Sequence, residues 1–243
     1  MKNILDSLKS PDGTFDKTSK FYVDLKNDFT FHSSAIEGSQ ISKMDNLKLI
    51  TDPKSKSHLF NQYPRKHVIE NENLIHAFDY IMDTYNELLT IKYVKLLHKK
   101  LCWNSPDLNE RDELAGEFRQ HDVQVDTHLG ARPSYISTLM KKLLEETPKK
   151  MTINDVAKFH CEYEIIHPFY DGNGRTGRLL MLKHCLQNNI QPFYIEEFNK
   201  KEYYLGIEYY QTTNRIDVIT KYFINQQNRF FEKYSSKTKE YVV

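Results

Sequence analysis

Twelve residues, His167 to Arg178, read HPFYDGNGRTGR and lie between two stretches of helical pattern. They crowd one imidazole, one carboxylate, three glycines and two arginines into a loop and the turn after it. Each glycine costs roughly 0.5–1 kcal/mol in a regular element relative to alanine. Gly172, Gly174 and Gly177 therefore mark a place where backbone N–H groups approach something closely. Such a loop suits a polyphosphate, with a carboxylate for its metal and a base alongside.

The flanks set the frame. Thr152 and Asp155 form a capping-box pattern, and Val156, Phe159, Tyr163 and Ile166 recur as one apolar helical stripe. His167 follows the stripe, and Pro168 ends the helix because the residue before a proline avoids helical geometry. Phe169 is the apolar residue that anchors the loop in the core. After the loop, Leu179, Leu180, Leu182, His184, Cys185 and Leu186 predict a buried helix whose first turn is Arg175 to Arg178. Arginines there oppose the helix dipole unless an anion joins them at the N-terminus. The run lacks the Lys-Ser/Thr pair of a Walker A loop.

HPFYDGNGRTGR resembles the Fic motif, HxFx(D/E)GNGRxxR, at every defined position. The resemblance implies an all-α Fic-fold domain with a small β-hairpin flap, here with an N-terminal helical extension. It also implies transfer of AMP from ATP to a Tyr, Thr or Ser hydroxyl of a target protein. His167 matches the base that deprotonates that hydroxyl, and Asp171 the ligand of Mg2+. Gly172, Asn173 and Gly174 match the anion hole, the asparagine contributing its amide. Arg175 matches a phosphate contact and Arg178 the partner of the γ-phosphate, with the backbone of Thr176 and Gly177 between them.

Three further segments carry the resemblance. Ser33-Ser34-Ala35-Ile36-Glu37-Gly38 is similar to the family's inhibitory motif, (S/T)xxxE(G/N), which implies a Glu37–Arg178 salt bridge that keeps the γ-phosphate out. At ~4 Å and an effective dielectric of ~20 such a pair is attractive by about 4 kcal/mol before desolvation. Gly116 to Arg119 followed by Val123-Gln124-Val125 resembles the flap hairpin, with the following signal reduced to Ala131-Arg132-Pro133. For adenine the resemblance implies the Tyr203-Tyr204 pair, with Tyr204 on the nucleotide, and Asn214. A second pair, Tyr209-Tyr210, leaves that register open.

These matches divide the chain into an extension with the inhibitory helix at 1–89, the Fic domain at 90–234 and a polar tail at 235–243. Leu74, Phe78, Ile81 and Tyr85 place a helix in the extension, and residues 52–64, with two prolines, predict a long exposed loop. A net charge of +1 with dispersed lysines argues against nucleic acid or an anionic membrane. No apolar run is long enough to span a bilayer. Three scattered cysteines point to a reducing cytoplasm. The expected ligands are ATP and Mg2+; the expected partner is the target protein, and the resemblance admits a homodimer.

Other readings stay open. His160, Glu164 and His167 share a helix face and could ligate a metal, although the second Glu-x-x-His of a di-iron bundle is missing. The Fic scaffold could serve as a non-catalytic interaction module. The same site could also run as a de-AMPylase, with Glu37 placing a water.

Overall fold

The computed structural model describes residues 14–106, 115–125 and 128–235. Helix α1 spans Lys20–Ile36, α2 Lys43–Thr51, α3 Lys56–Leu59, α4 Arg65–Thr84 and α5 Ile91–Leu101. A two-residue antiparallel pair follows, β1 Gln124–Val125 and β2 His128–Leu129. Then come α6 Pro133–Glu146, α7 Ile153–Ile166, α8 Asn173–Gln187, α9 Lys200–Thr213 and α10 Asp217–Ser235.

The centre is α8. Leu179, Leu180, Met181, Leu182 and Cys185 are all buried, and so are Arg175, Arg178, Lys183 and His184, so this helix has no solvent-exposed face and is wrapped by its neighbours. The main apolar core runs from Phe21 in α1 to Tyr234 in α10 and draws on both the expected extension and the expected Fic domain. A smaller cluster of Ile41, Leu49, Leu59, Val68 and Ile75 holds α2 and α3 against α4. Leu59 in that cluster is fully buried. The expected loop at 52–64 is thus a short 3-10 turn (Pro53–Ser55) running into α3. Its anchor is one leucine, too short a signal for periodicity.

Polar groups lock α1 in place. Asp28 is buried and accepts from Lys233 (2.5 Å), Tyr234 (2.5 Å), Tyr194 (3.2 Å) and Lys43, which ties α1 to α2 and to the end of α10. Across the helix, Lys26 and the Tyr22 hydroxyl donate to Asp79 of α4. The Asn46 amide donates to Asn27 and Thr30 and accepts from Asn71. On the far side of α8, Lys183 donates to the carbonyls of Thr84, Tyr85 and Glu87, and so caps the open C-terminal end of α4.

Among the described residues no helix is long and apolar enough to cross a membrane. The expected polar tail lies outside the described residues except Ser235, which ends α10.

Candidate active site

Helix α7 begins with the expected capping box on Thr152 and Asp155 and ends at His167. His167 adopts a left-handed conformation (φ 49°, ψ 63°) while its N–H still donates to the Tyr163 carbonyl. For a residue with a Cβ this costs roughly 1–2 kcal/mol. It turns the chain away from the helix axis just before Pro168. Burial drags the imidazole down to about 4, so the ring is neutral and able to accept a proton at physiological pH.

Phe169 is fully buried, as expected. The Asn173 side chain receives the Phe169 N–H on Oδ1 (2.9 Å) and donates to the Phe169 carbonyl through Nδ2 (2.8 Å). One N–H of the amide expected to meet an anion is thus engaged in shaping the loop. The backbone N–H groups at the start of α8, which have no partner within the helix, are further donors for an anion. That helix opens at Asn173, earlier than the pattern predicts, with Gly172 as a left-handed N-cap (φ 74°). A Cβ on Gly172 would lie 2.8 Å from Cys102 Sγ.

His98 of α5 supports the loop from outside. Its ring stacks on Phe169 at 3.7 Å and 5°. Its Nδ1 accepts the Gly116 N–H (2.8 Å), so Nε2 carries the hydrogen and donates to the Asp171 carbonyl (2.8 Å). Burial lowers this ring to about 4, which keeps it neutral in that role.

Asp171 accepts the Gly172 N–H (2.6 Å) and lies 3.4 Å from Arg175. Burial would raise its carboxyl, but Arg175 and that N–H outweigh burial and hold it below its ordinary value. The side chain is 30% exposed. One ionised, reachable carboxylate is what Mg2+ needs, because it fills the rest of its shell with water and phosphate oxygens. Arg175 is buried and pairs with Glu70 of α4 (2.9 Å), a partner nothing in the motif foretold.

Arg178 is also buried. Its Nε donates to Ser33 Oγ (2.9 Å), and its Nη2 donates to the Ser33 carbonyl (2.9 Å) and to Glu37 Oε1 (2.7 Å). Burial works against the charge, yet Glu37 together with Tyr203 and Tyr204 offsets it and holds the guanidinium above its ordinary value. Glu37 is the C-cap of α1, followed by Gly38 at φ 89°. A Cβ on Gly174 would lie 2.5 Å from Glu37 Oε1 and 2.9 Å from Arg178 Nη1. The bare Cα at 174 is therefore what lets Glu37 reach over the loop.

Thr176 and Gly177 face inward. Thr176 is fully buried, and a Cβ on Gly177 would collide with Glu164 Oε1 of α7. Gly177 thus serves the close approach of α7 and α8. Burial pushes the Glu164 carboxyl up to about 8. His160 meets the Tyr203 hydroxyl at 2.6 Å, which occupies its Nε2. Among the described residues no group of three His, Cys, Asp or Glu could hold a metal ion, which removes the His160–Glu164–His167 metal reading.

Tyr203 is buried, whereas Tyr204 is 39% exposed. Tyr210 is buried and donates to Glu162 (2.5 Å). Asn214 is the left-handed C-cap of α9 (φ 58°) and is exposed. The strand pair is shorter than the flap motif suggests. Phe118 and Arg119 are buried, and Arg119 donates to the carbonyls of His167 (2.8 Å), His121 (2.7 Å) and Ala131 (2.5 Å). Arg119, His98 and Glu70 are the site residues that sequence reasoning left without a role. Arg119 alone carried a signal, its place in the flap-like segment.

Residues 88–185 match the Fic/DOC family model. Protein adenylyltransferase Fic of Culex quinquefasciatus is 28% identical over 205 residues, covering 77% of this chain and 37% of the relative. The protein of the same name from Nematostella vectensis is 28% identical over 199 residues, covering 77% and 43%. The chain thus spans about two fifths of the length of these curated relatives. Among solved structures, a Fic domain containing signaling protein from Bacteroides thetaiotaomicron superposes with a TM-score of 0.75 at 18% identity, covering 91% of this chain and 89% of that one. Fic-1 from C. elegans gives a TM-score of 0.68 at 20% identity, covering 89% and 64%. At these identities the structural matches speak for the fold.

Proposed function

We propose, from the premise that the chain is a Fic/DOC-family protein, that it is a protein adenylyltransferase whose resting state is autoinhibited. The observation that carries the first half is the His167–Asp171–Gly172–Arg178 loop, with a neutral imidazole at one end and two buried arginines at the other. The name protein adenylyltransferase borne by relatives such as that of Culex quinquefasciatus supports it. ATP is then the nucleotide and a hydroxyl-bearing protein the acceptor.

In this reading the backbone N–H groups at the start of α8 grip the phosphates, and their charge is matched by the helix dipole. Neutral His167 takes the proton of the incoming hydroxyl as its oxygen attacks the α-phosphorus and pyrophosphate leaves. Such general-base help contributes about 10²–10⁴-fold. Asp171 would hold Mg2+, which when bound neutralises charge on the phosphates. Tyr204, half exposed beside Arg178, is the candidate for the adenine side. Asn214, the exposed left-handed C-cap of the same helix, α9, is the second candidate there. The strand pair β1–β2 is the candidate edge for aligning the target backbone.

Autoinhibition is supported by the Glu37–Arg178 contact, which occupies the arginine assigned to the γ-phosphate. The cysteines are free and buried, in keeping with a reducing compartment. The deciding experiment incubates wild type and Glu37→Gly with α-phosphate-labelled ATP and a cell lysate, then identifies labelled proteins by mass spectrometry. AMP on a hydroxyl side chain is expected. Removal of AMP from pre-modified protein, with no transfer by either form, would assign the hydrolytic direction instead.

A further inference from the structure

We propose that Arg119 is a positioning residue for the transfer step, tying the backbone of His167 to both roots of the β1–β2 pair so that base and target-docking edge move as one unit. The inference rests on the adenylyltransferase reading above. Arg119 is 1% exposed, an unusual place for a guanidinium. Its named acceptors are backbone carbonyls from three segments. They are His167 at the end of α7, His121 before β1 and Ala131 after β2. Its own N–H donates to the Pro168 carbonyl (3.1 Å), so side chain and backbone hold consecutive residues of the loop. Two further bonds close the frame: the Gly130 N–H donates to Val123 and the Ala131 N–H to Ile166.

His167 needs such a frame. Its left-handed φ persists only where surrounding groups over-determine it, and Arg119 fixes the carbonyl that this φ orients. Gly130 makes the approach feasible, because a Cβ there would lie 2.6 Å from Arg119 Nη2 and 3.3 Å from His167 Cβ. A lysine cannot replace the fork: one nitrogen at the end of a flexible stem does not reach three divergent carbonyls. The charge has a second effect. The groups that bear on the His167 ring are the Glu164 carbonyl, the Arg119 cation, Glu37 and Asp171. Among these Arg119 is the one that discourages protonation, so it helps to keep the base free.

The test uses the full chain in a Glu37→Gly background and reads self-labelling with α-phosphate-labelled ATP. Binding of a fluorescent ATP analogue and thermal melting are read in parallel. In Arg119→Lys and Arg119→Gln, kcat is expected to fall by about 10-fold or more, while nucleotide affinity stays within about 2-fold. Arg119→Gln should also shift the acid limb of the rate profile to higher pH, and Arg119→Lys should leave it in place. Gly130→Ala displaces the guanidinium and keeps its charge, so it should lower kcat with no shift of the limb. It also decides the matter if the Arg119 variants fail to fold. Parent-level kcat in these variants overturns the proposal, as does loss of nucleotide binding in step with kcat. An unmoved limb in Arg119→Gln overturns the electrostatic role. If the Glu37→Gly parent transfers no AMP, the functional reading has failed and the inference falls with it.

Discussion

Glu37 Oε1 lies 2.7 Å from Arg178 Nη2, across 141 positions of sequence. Ser33, one turn earlier on the same helix, accepts from Arg178 Nε through its hydroxyl and from the same Nη2 through its carbonyl. Glu37→Gly frees Arg178 without removing it. AMP transfer should rise by roughly 5–150-fold, the span of a 1–3 kcal/mol coupling. Label counting on SDS gels checks this, and an unchanged rate would deny the contact any inhibitory role.

His167→Ala should cut transfer by about 10²-fold or more, since the base is lost. Nucleotide binding should survive, because the N–H groups at the start of α8 and Arg178 are untouched. Fluorescent-nucleotide titration beside the transfer assay separates the two, and residual transfer near wild type would dismiss the imidazole from the chemistry.

Asp171→Asn keeps the shape of the carboxyl and can still accept the Gly172 N–H. It should abolish the Mg2+ dependence of nucleotide affinity in calorimetric titrations with and without EDTA. Equal Mg2+ enhancement in both proteins would place the ion elsewhere.

Acid should unfold this protein early. Burial holds His32, His98 and His167 down to about 4, and His160 and His184 down to about 3. In the unfolded chain a histidine titrates near ~6.5. As pH falls below that value the unfolded state binds protons that the folded state refuses, so stability drops. Each such group costs up to roughly 1.4 kcal/mol per pH unit, against a total of about 5–15 kcal/mol. Even at half that strength the five groups together remove about 9 kcal/mol between pH ~6.5 and ~4, a loss that lies within that total. Circular-dichroism melts from pH 7.5 to 4.5 should show Tm falling steeply below ~6.5, and a flat profile would contradict the buried neutral state.

The parts of the site legible in sequence follow short-range rules or a fixed motif. The capping box needs only Thr152 and Asp155, and Phe169 had to be buried because it is apolar in a polar loop. Glu37 and Arg178 were paired by resemblance alone. What stayed hidden depends on contacts whose partners carry no sequence signature. Arg119 binds carbonyls, which every residue possesses. His98 works through its tautomer, set by the distant Gly116 N–H. Gly177 reads as a glycine for backbone approach to the nucleotide, yet the side chains of Glu164, His160 and Tyr163 leave no room for a Cβ there. Asn173 kept its place in the motif and carries a second task the motif does not spell out, because its amide bonds both the N–H and the carbonyl of Phe169.

Helix α1, riveted through Asp28 and ending in Glu37, has a kinetic consequence. Carboxylate and guanidinium belong to one folded chain, so their encounter is unimolecular and does not weaken on dilution. A tethered group of this kind acts at an effective concentration of millimolar or above. A free carboxylate in solution must exceed that concentration to displace Glu37 from Arg178.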